Sequence, residues 1–142
     1  MRVVLDTSVL VAGVRSRRGA SFEVLSRLGN GTFGVAVSVS LVLEYVSVLL
    51  RQLQTSPLDE RDIRDFIDYL CEVAIRQEIF FLWRPFLRDP NDDLVLELAV
   101  AARCEAIVTH NVRDFADAMR LGVRVVTPGA FLQELRRRKW AR

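Results

Sequence analysis

Hydrophobic positions change their period several times along the chain, and each change marks an element. Arg2-Val3-Val4-Leu5 is a short, β-branched apolar run that stops at Asp6-Thr7-Ser8. Such a run suits a central strand covered on both faces. Arg15 to Ala20 is polar, basic and glycine-containing, which predicts a loop. Ser21 then caps a short helix carrying Val24, Leu25 and Leu28, and Gly29, Gly31 and Gly34 break the chain behind it. Val35 to Ser38 predicts a second strand, and Ser40 a cap for a helix reaching about Gln54. Pro57 closes that segment.

From Asp59 onward the apolar positions are Ile63, Phe66, Ile67, Leu70, Cys71 and Ala74, the stripe of an amphipathic helix. Ile79 to Trp83 predicts a short strand stopped by Pro85. Asp89-Pro90-Asn91-Asp92-Asp93 is a turn into a helix capped by Asn91 or Asp92, with Leu94, Val95, Leu98, Ala99 and Ala102 inward. Ala106 to Thr109 is a strand, and Asn111 to Leu121 a short helix ended by Gly122. Val123 to Thr127 is another strand, and a last helix runs from Ala130 to about Arg138. Strands and helices alternate. That order predicts an α/β fold: a three-layer α/β/α sandwich with a mainly parallel central sheet, formed by a single domain over residues 1–142. Sites in such sheets lie at the carboxyl ends of the strands.

Composition narrows the chemistry. A chain of 142 residues that is 51% hydrophobic builds a self-supporting core without disulfide or metal staples. Lys plus Arg number 20 and Asp plus Glu 18, so the net charge of +2 argues against a strongly basic wrapper of nucleic acid but leaves room for a local basic patch. The single histidine, His110, excludes sites built on several histidines, and no GxSxG elbow accompanies it. Cys71 and Cys104 lie in apolar patterns without a CxxC, as reduced buried thiols do. The longest apolar-rich stretch, Val35 to Leu50, is interrupted by Ser38, Ser40, Glu44 and Ser47 and falls short of the roughly 20 residues a membrane span needs. The expected location is the cytoplasm, away from any membrane.

The carboxylates carry the chemical signal. Asp6 directly follows the first strand, where it serves either a turn or cap or a site. Glu44 sits in the almost wholly apolar run Leu41 to Leu50; a mostly buried helix tolerates a carboxylate only if it is paired or metal-bound. Asp92 and Asp93 open a helix with Asp89 just upstream, which is more acid than capping requires. Glu97, one turn on, reads as a surface residue at the crevice rim. Asp114 follows the strand that ends at Thr109, with an ion pair to Arg113 or Arg120 as its plain alternative. Oxygen ligands from remote parts of the chain, without histidine or thiolate, suit Mg²⁺ or Mn²⁺, whose common use is phosphoryl transfer.

The same residues carry a resemblance. Val3-Val4-Leu5-Asp6-Thr7-Ser8-Val9-Leu10 resembles the first motif of the PIN-domain ribonucleases, a strand ending in an Asp-Thr-Asn/Ser signature. Glu44 falls where their second acid is expected. Asp93 with Leu98 to Ala102 resembles the third motif, and Ile107-Val108-Thr109-His110-Asn111-Val112-Arg113-Asp114-Phe115 the fourth. The ordered motifs cover nearly the whole chain. Within that family the Asp89 to Asp93 lead-in and the helix from Asp59 are similar to the VapC-type toxins of toxin-antitoxin systems. One departure is Asn111, where many relatives carry an aspartate.

The resemblance implies a ribonuclease dependent on Mg²⁺ or Mn²⁺ and acting on single-stranded or structured RNA. Asp6, Glu44 and Asp93 would hold the metal, with Asp114 or Asn111 completing the shell. Ser8 and Thr109 would orient carboxylates or water, and Arg15, Arg17 and Arg18 would contact the phosphate backbone. It also implies a homodimer and a cognate antitoxin. The alternative is a catalytically weak or inactive module that binds nucleic acid. Other aspartate-based phosphotransfer folds fit less well. A dehalogenase-type phosphatase wants an acid at Ser8, a receiver domain wants a lysine on a late strand while the lone lysine is Lys139, and no GxGxxG follows the first strand.

Overall fold

The computed structural model describes residues 1–79 and 87–140. Five strands form one sheet in the order β3-β2-β1-β4-β5, with β1 at Arg2–Leu5, β2 at Gly34–Val37, β3 at Ile75–Arg76, β4 at Ala106–Val108 and β5 at Arg124–Val126. All four pairings are parallel, so the sheet is more uniform than the mainly parallel one expected. Val3, Val4 and Leu5 are each fully buried. Successive strand residues face opposite sides, so both faces of β1 are covered, as in a three-layer sandwich. The covering helices are α1 (Thr7–Arg15), α2 (Ala20–Ser26), α3 (Val39–Arg51), α4 (Glu60–Val73), α5 (Pro90–Ala101) and α6 (Pro128–Trp140). None of the described helices is long and apolar enough to cross a membrane.

Local chemistry explains most boundaries. Asp59 and Asp62 make a reciprocal capping box at the start of α4, and Ile63, Ile67 and Leu70 are its buried stripe. Gly122, with φ of 78°, ends the 3₁₀ segment Val112–Leu121 in the left-handed region that glycine occupies without strain. Phe33 and Phe131 meet edge to face at 5.0 Å and help dock α6.

Three expectations change. Helix α1 starts directly at Thr7, where the sequence leaves a turn or a cap open and marks no helix, because Val9, Leu10, Gly13 and Val14 form a buried stripe despite their β-branched neighbours. A short strand lies at Ile75–Arg76, immediately after α4. The strand expected over Ile79 to Trp83 falls outside the described residues beyond Ile79. Cys104 is buried, but Cys71 is only half-buried; both are free thiols.

The chain crosses from one side of β1 to the other between β3 and β4. The β1–β4 seam is therefore the switch point of the sheet, where open parallel sheets form a crevice at their carboxyl ends.

Candidate active site

Asp6 stands at that seam, and its backbone N–H donates to the Val108 carbonyl at 2.9 Å. It occupies the N-cap position of α1, yet its side chain caps nothing. Its Oδ2 accepts hydrogen bonds from Ser8 Oγ at 2.8 Å and Thr109 Oγ1 at 2.7 Å. Both hydroxyls are themselves oriented by backbone. The His110 N–H donates to Ser8 Oγ at 3.2 Å, and the Asn111 N–H donates to Thr109 Oγ1 at 2.9 Å. Each hydroxyl thus accepts from the main chain and spends its own proton on Asp6. No buried side-chain oxygen lacks a partner among the described residues, so Oδ1 of Asp6, which accepts none there, is open to solvent. This is not the turn or cap role that competes for Asp6 in the sequence.

The crevice beside Asp6 is a cleft of about 460 Å³ whose wall includes Ser8, Arg15, Glu44, Asp89, Asp92, His110, Asn111 and Asp114. Glu44 reaches it from α3. That helix starts at Ser38, whose hydroxyl caps it by accepting from the Leu41 N–H at 3.2 Å, two residues before the expected Ser40. Only Leu41, Tyr45 and Leu49 of α3 are buried, while Val39 and Leu43 are 79% and 63% exposed. Glu44 therefore sits beside the buried row, half-exposed on the cleft, rather than inside an all-buried helix. Its neighbour Tyr45 is fully buried and donates its hydroxyl to the Leu5 carbonyl, tying α3 to the end of β1. Burial, and then the charge of Asp6, push the Tyr45 phenol well above its ordinary range.

Helix α5 contributes Asp92, and Asp93 turns inward. The cap is Asp89, whose carboxylate accepts from the Asn91 N–H at 2.9 Å, with Pro90 in the first helical turn. Asp92 is therefore not used as a cap, contrary to the sequence reading, and lines the cleft. Asp93, the expected ligand, is 2% exposed and accepts from the Leu87 N–H at 2.8 Å through Oδ1. Adjacent helical residues point about 100° apart, and here Asp92 lines the cleft while Asp93 is buried. Glu97 is likewise buried at 5% exposure rather than on the rim, because α5 is enclosed on nearly all sides.

Asp114 and Asn111 line the far wall, and the Asn111 side chain makes no cap bond to the segment it precedes. His110 also faces the cleft, with Nε2 at 2.6 Å from the Oγ of Ser21 on α2. Arg15 lies in the wall; Arg17 and Arg18 are exposed in the following loop and are not part of it. The structure thus gathers Asp6, Glu44 and Asp114 with Asp92 and Asp89. The sequence marks the last two as acids in excess of capping but names Asp93, not Asp92 or Asp89, as the ligand. Counting from Pro90 as the first helical residue would have separated Asp92 from the cap.

The electrostatics suit a cation. Burial first, then the charges of Asp6, Asp89, Asp114 and Asp93, push the Asp92 carboxyl up from 3.8 to about 7. Among the described residues no cation offsets these acids at Asp92. Apart from the His110 imidazole, the donors in the wall are carboxylate, amide and hydroxyl oxygens, the set that hard divalent ions take. Among the described residues no three His, Cys, Asp or Glu side chains are close enough to ligate one ion directly. The fit is to an ion that keeps several waters, as Mg²⁺ commonly does.

The sequence has no match among curated proteins. Among solved structures, the fold is similar to a chain in the crystal structure of VapBC2 from Rickettsia felis bound to a DNA fragment from their promoter. The TM-score is 0.59 at 16% identity, covering 89% of this chain and 98% of that one. A family model described as PIN domain matches residues 2–113, most of the chain. The protein therefore belongs to the PIN-domain family, whose members are generally nucleases and typically use divalent metals.

Proposed function

We propose that this protein is a ribonuclease dependent on Mg²⁺ or Mn²⁺, cleaving phosphodiester bonds of single-stranded or structured RNA as the toxin of a toxin-antitoxin pair. The observation that carries the nuclease reading is the state of Asp6. It is a cap residue by position whose carboxylate is instead held by two hydroxyls, with its second oxygen open to an acid-lined cleft.

Asp6, Glu44, Asp92 and Asp114 are the residues that would hold the metal, in part through water. A bound divalent ion supplies charge neutralisation at the phosphate and lowers the cost of deprotonating water. Ser8 and Thr109 fix the Asp6 carboxylate so that one oxygen stays available. Asn111 adds an amide to the wall without a charge. The exposed loop at Arg17 and Arg18 gives sequence-independent contacts to the RNA backbone.

The toxin role is supported by the fold shared with a chain of a VapBC complex and by the motif order along the sequence. A cognate antitoxin, a homodimer and a cytoplasmic location belong to the same reading. The exposed Val39 and Leu43 on α3 are consistent with self-association.

The test is cleavage of a mixed RNA pool with and without Mn²⁺, comparing wild type with Asp6→Asn. Cleavage that requires the metal and is lost in the variant supports the reading. A wild type that neither cleaves RNA nor binds Mn²⁺ by calorimetry would instead be the inactive nucleic-acid-binding module.

A further inference from the structure

Among the described residues Arg15 is the one arginine or lysine in the wall of the acidic cleft. It closes α1, nine residues beyond Asp6, and lines the same crevice as the carboxylates. A guanidinium among so many acids is expected to pair with one, because charge-assisted hydrogen bonds are about twice as strong as neutral ones. Among the described residues Arg15 makes no such pair. Its Nη2 donates instead to the neutral Oε1 of Gln52, the residue that ends α3. Gln52 takes one of five donors and none of the charge. Arg17 and Arg18, two and three residues on, are outside the wall.

We propose that Arg15, steered by Gln52, binds the scissile phosphate inside the cleft, in a role distinct from the backbone grip of Arg17 and Arg18. This rests on the nuclease reading and names the group that meets the substrate's charge. An acid-lined cleft repels a phosphodiester, and a planar guanidinium can fork onto its two non-bridging oxygens. Hydrolysis places the water oxygen on phosphorus and breaks the bond to O3′. One water proton goes to O3′, and the hydroxyl stays on the 5′-phosphate. Negative charge builds on the phosphoryl oxygens as this proceeds, so a cation fixed there acts more on the transition state than on binding. Gln52 is a positioning residue: it acts only through Arg15.

The experiment measures kcat and KM on one RNA oligonucleotide in Mn²⁺ for wild type, Arg15→Ala, Gln52→Ala, the double variant and Arg17→Ala. Calorimetric Mn²⁺ binding without RNA is measured alongside. Arg15→Ala should lower kcat about 100-fold with KM little changed. The same variant should bind Mn²⁺ at least as tightly as wild type, since a cation has left the cleft. Arg17→Ala should raise KM, flatten the salt dependence and spare kcat. Gln52→Ala should lower kcat in the same direction, and the double variant should be no slower than Arg15→Ala alone.

A wild type that cleaves while Arg15→Ala matches its kcat overturns the inference and leaves the nuclease reading standing. So does a double variant whose losses multiply. A wild type that cleaves nothing in Mn²⁺ removes both. Arg15 is exposed, so an unchanged melting temperature shows that each variant is folded.

Discussion

Neutralising Asp92 should stabilise the metal-free protein while destroying its metal site. The carboxyl is pushed from 3.8 to about 7 by burial and by Asp6, Asp89, Asp114 and Asp93. The sign follows from linkage. Below about pH 4 both folded and unfolded chains carry the proton, and the group is neutral to stability. Between about 4 and 7 the folded chain alone keeps it, so stability falls as pH rises, and above 7 the penalty is complete. A displacement of that size corresponds to roughly 4 kcal/mol. Asp92 is only partly buried, and solvent screening reduces this to about 1–2 kcal/mol. Asp92→Asn removes the penalty with almost no change of shape. In calorimetric or fluorescence melts with chelator, the variant should melt about 3–8 °C above wild type at pH 8. At pH 4 the two should coincide. Added Mn²⁺ should raise the melting point of wild type by mass action but leave the variant nearly unmoved. A variant that melts below wild type at pH 8 by the same margin as at pH 4 would show that Asp92 makes a favourable contact. The repulsive cluster would then be wrong.

Two further substitutions separate the roles of neighbouring groups. Thr109→Val keeps the shape of a fully buried side chain but removes one of the two hydroxyl bonds to Asp6 and strands the Asn111 N–H; it should cost about 1–3 kcal/mol in denaturant melts and weaken Mn²⁺ binding roughly 10–100-fold by calorimetry. Asp93→Ala should destabilise the fold by about 1–3 kcal/mol at pH 8, opposite in sign to Asp92→Asn, because it removes the acceptor of the buried Leu87 N–H; a melting point at or above wild type would overturn that assignment.

Much of the fold was legible because its strands are short apolar runs and its longest amphipathic helix has an unbroken stripe. The runs at Arg2–Leu5 and Ala106–Val108 suit interior strands, and the stripe from Ile63 to Leu70 has the period of one helical face. Helix α1 was not legible, because Thr7, Val9, Val11 and Val14 favour strand locally and only packing across the sheet overrides them. Helix starts were misplaced by about two residues. Ser38 rather than Ser40 caps α3, and Asp89 rather than Asn91 or Asp92 caps α5. Ser21, expected as a cap, lies inside α2 and meets His110 instead. In a strand such an error moves a boundary. At an acid pair on a helix it decides which carboxylate meets the solvent, and that is why Asp93 was expected in the place that Asp92 takes.

A parallel sheet has a built-in reason to collect acids at this edge. The strands β1, β2 and β4 end here, and α1, α3 and the 3₁₀ segment at Val112 begin just beyond them. Helix N-termini favour nearby carboxylates by about 0.3–1 kcal/mol each, enough to tolerate one acid per terminus. Two unit charges about 4 Å apart repel by about 4 kcal/mol at an effective dielectric near 20. Dipoles of that size cannot settle several acids in one cleft, and the height of the Asp92 carboxyl reflects burial first and then that repulsion. A monovalent side chain paired with an acid would cancel part of it, but Arg15 pairs with none of the acids among the described residues. The repulsion therefore stays stored in the folded chain, available to whatever multivalent cation the cleft admits. The steeper that stored cost, the more tightly the ion binds and the less stable the protein is without it.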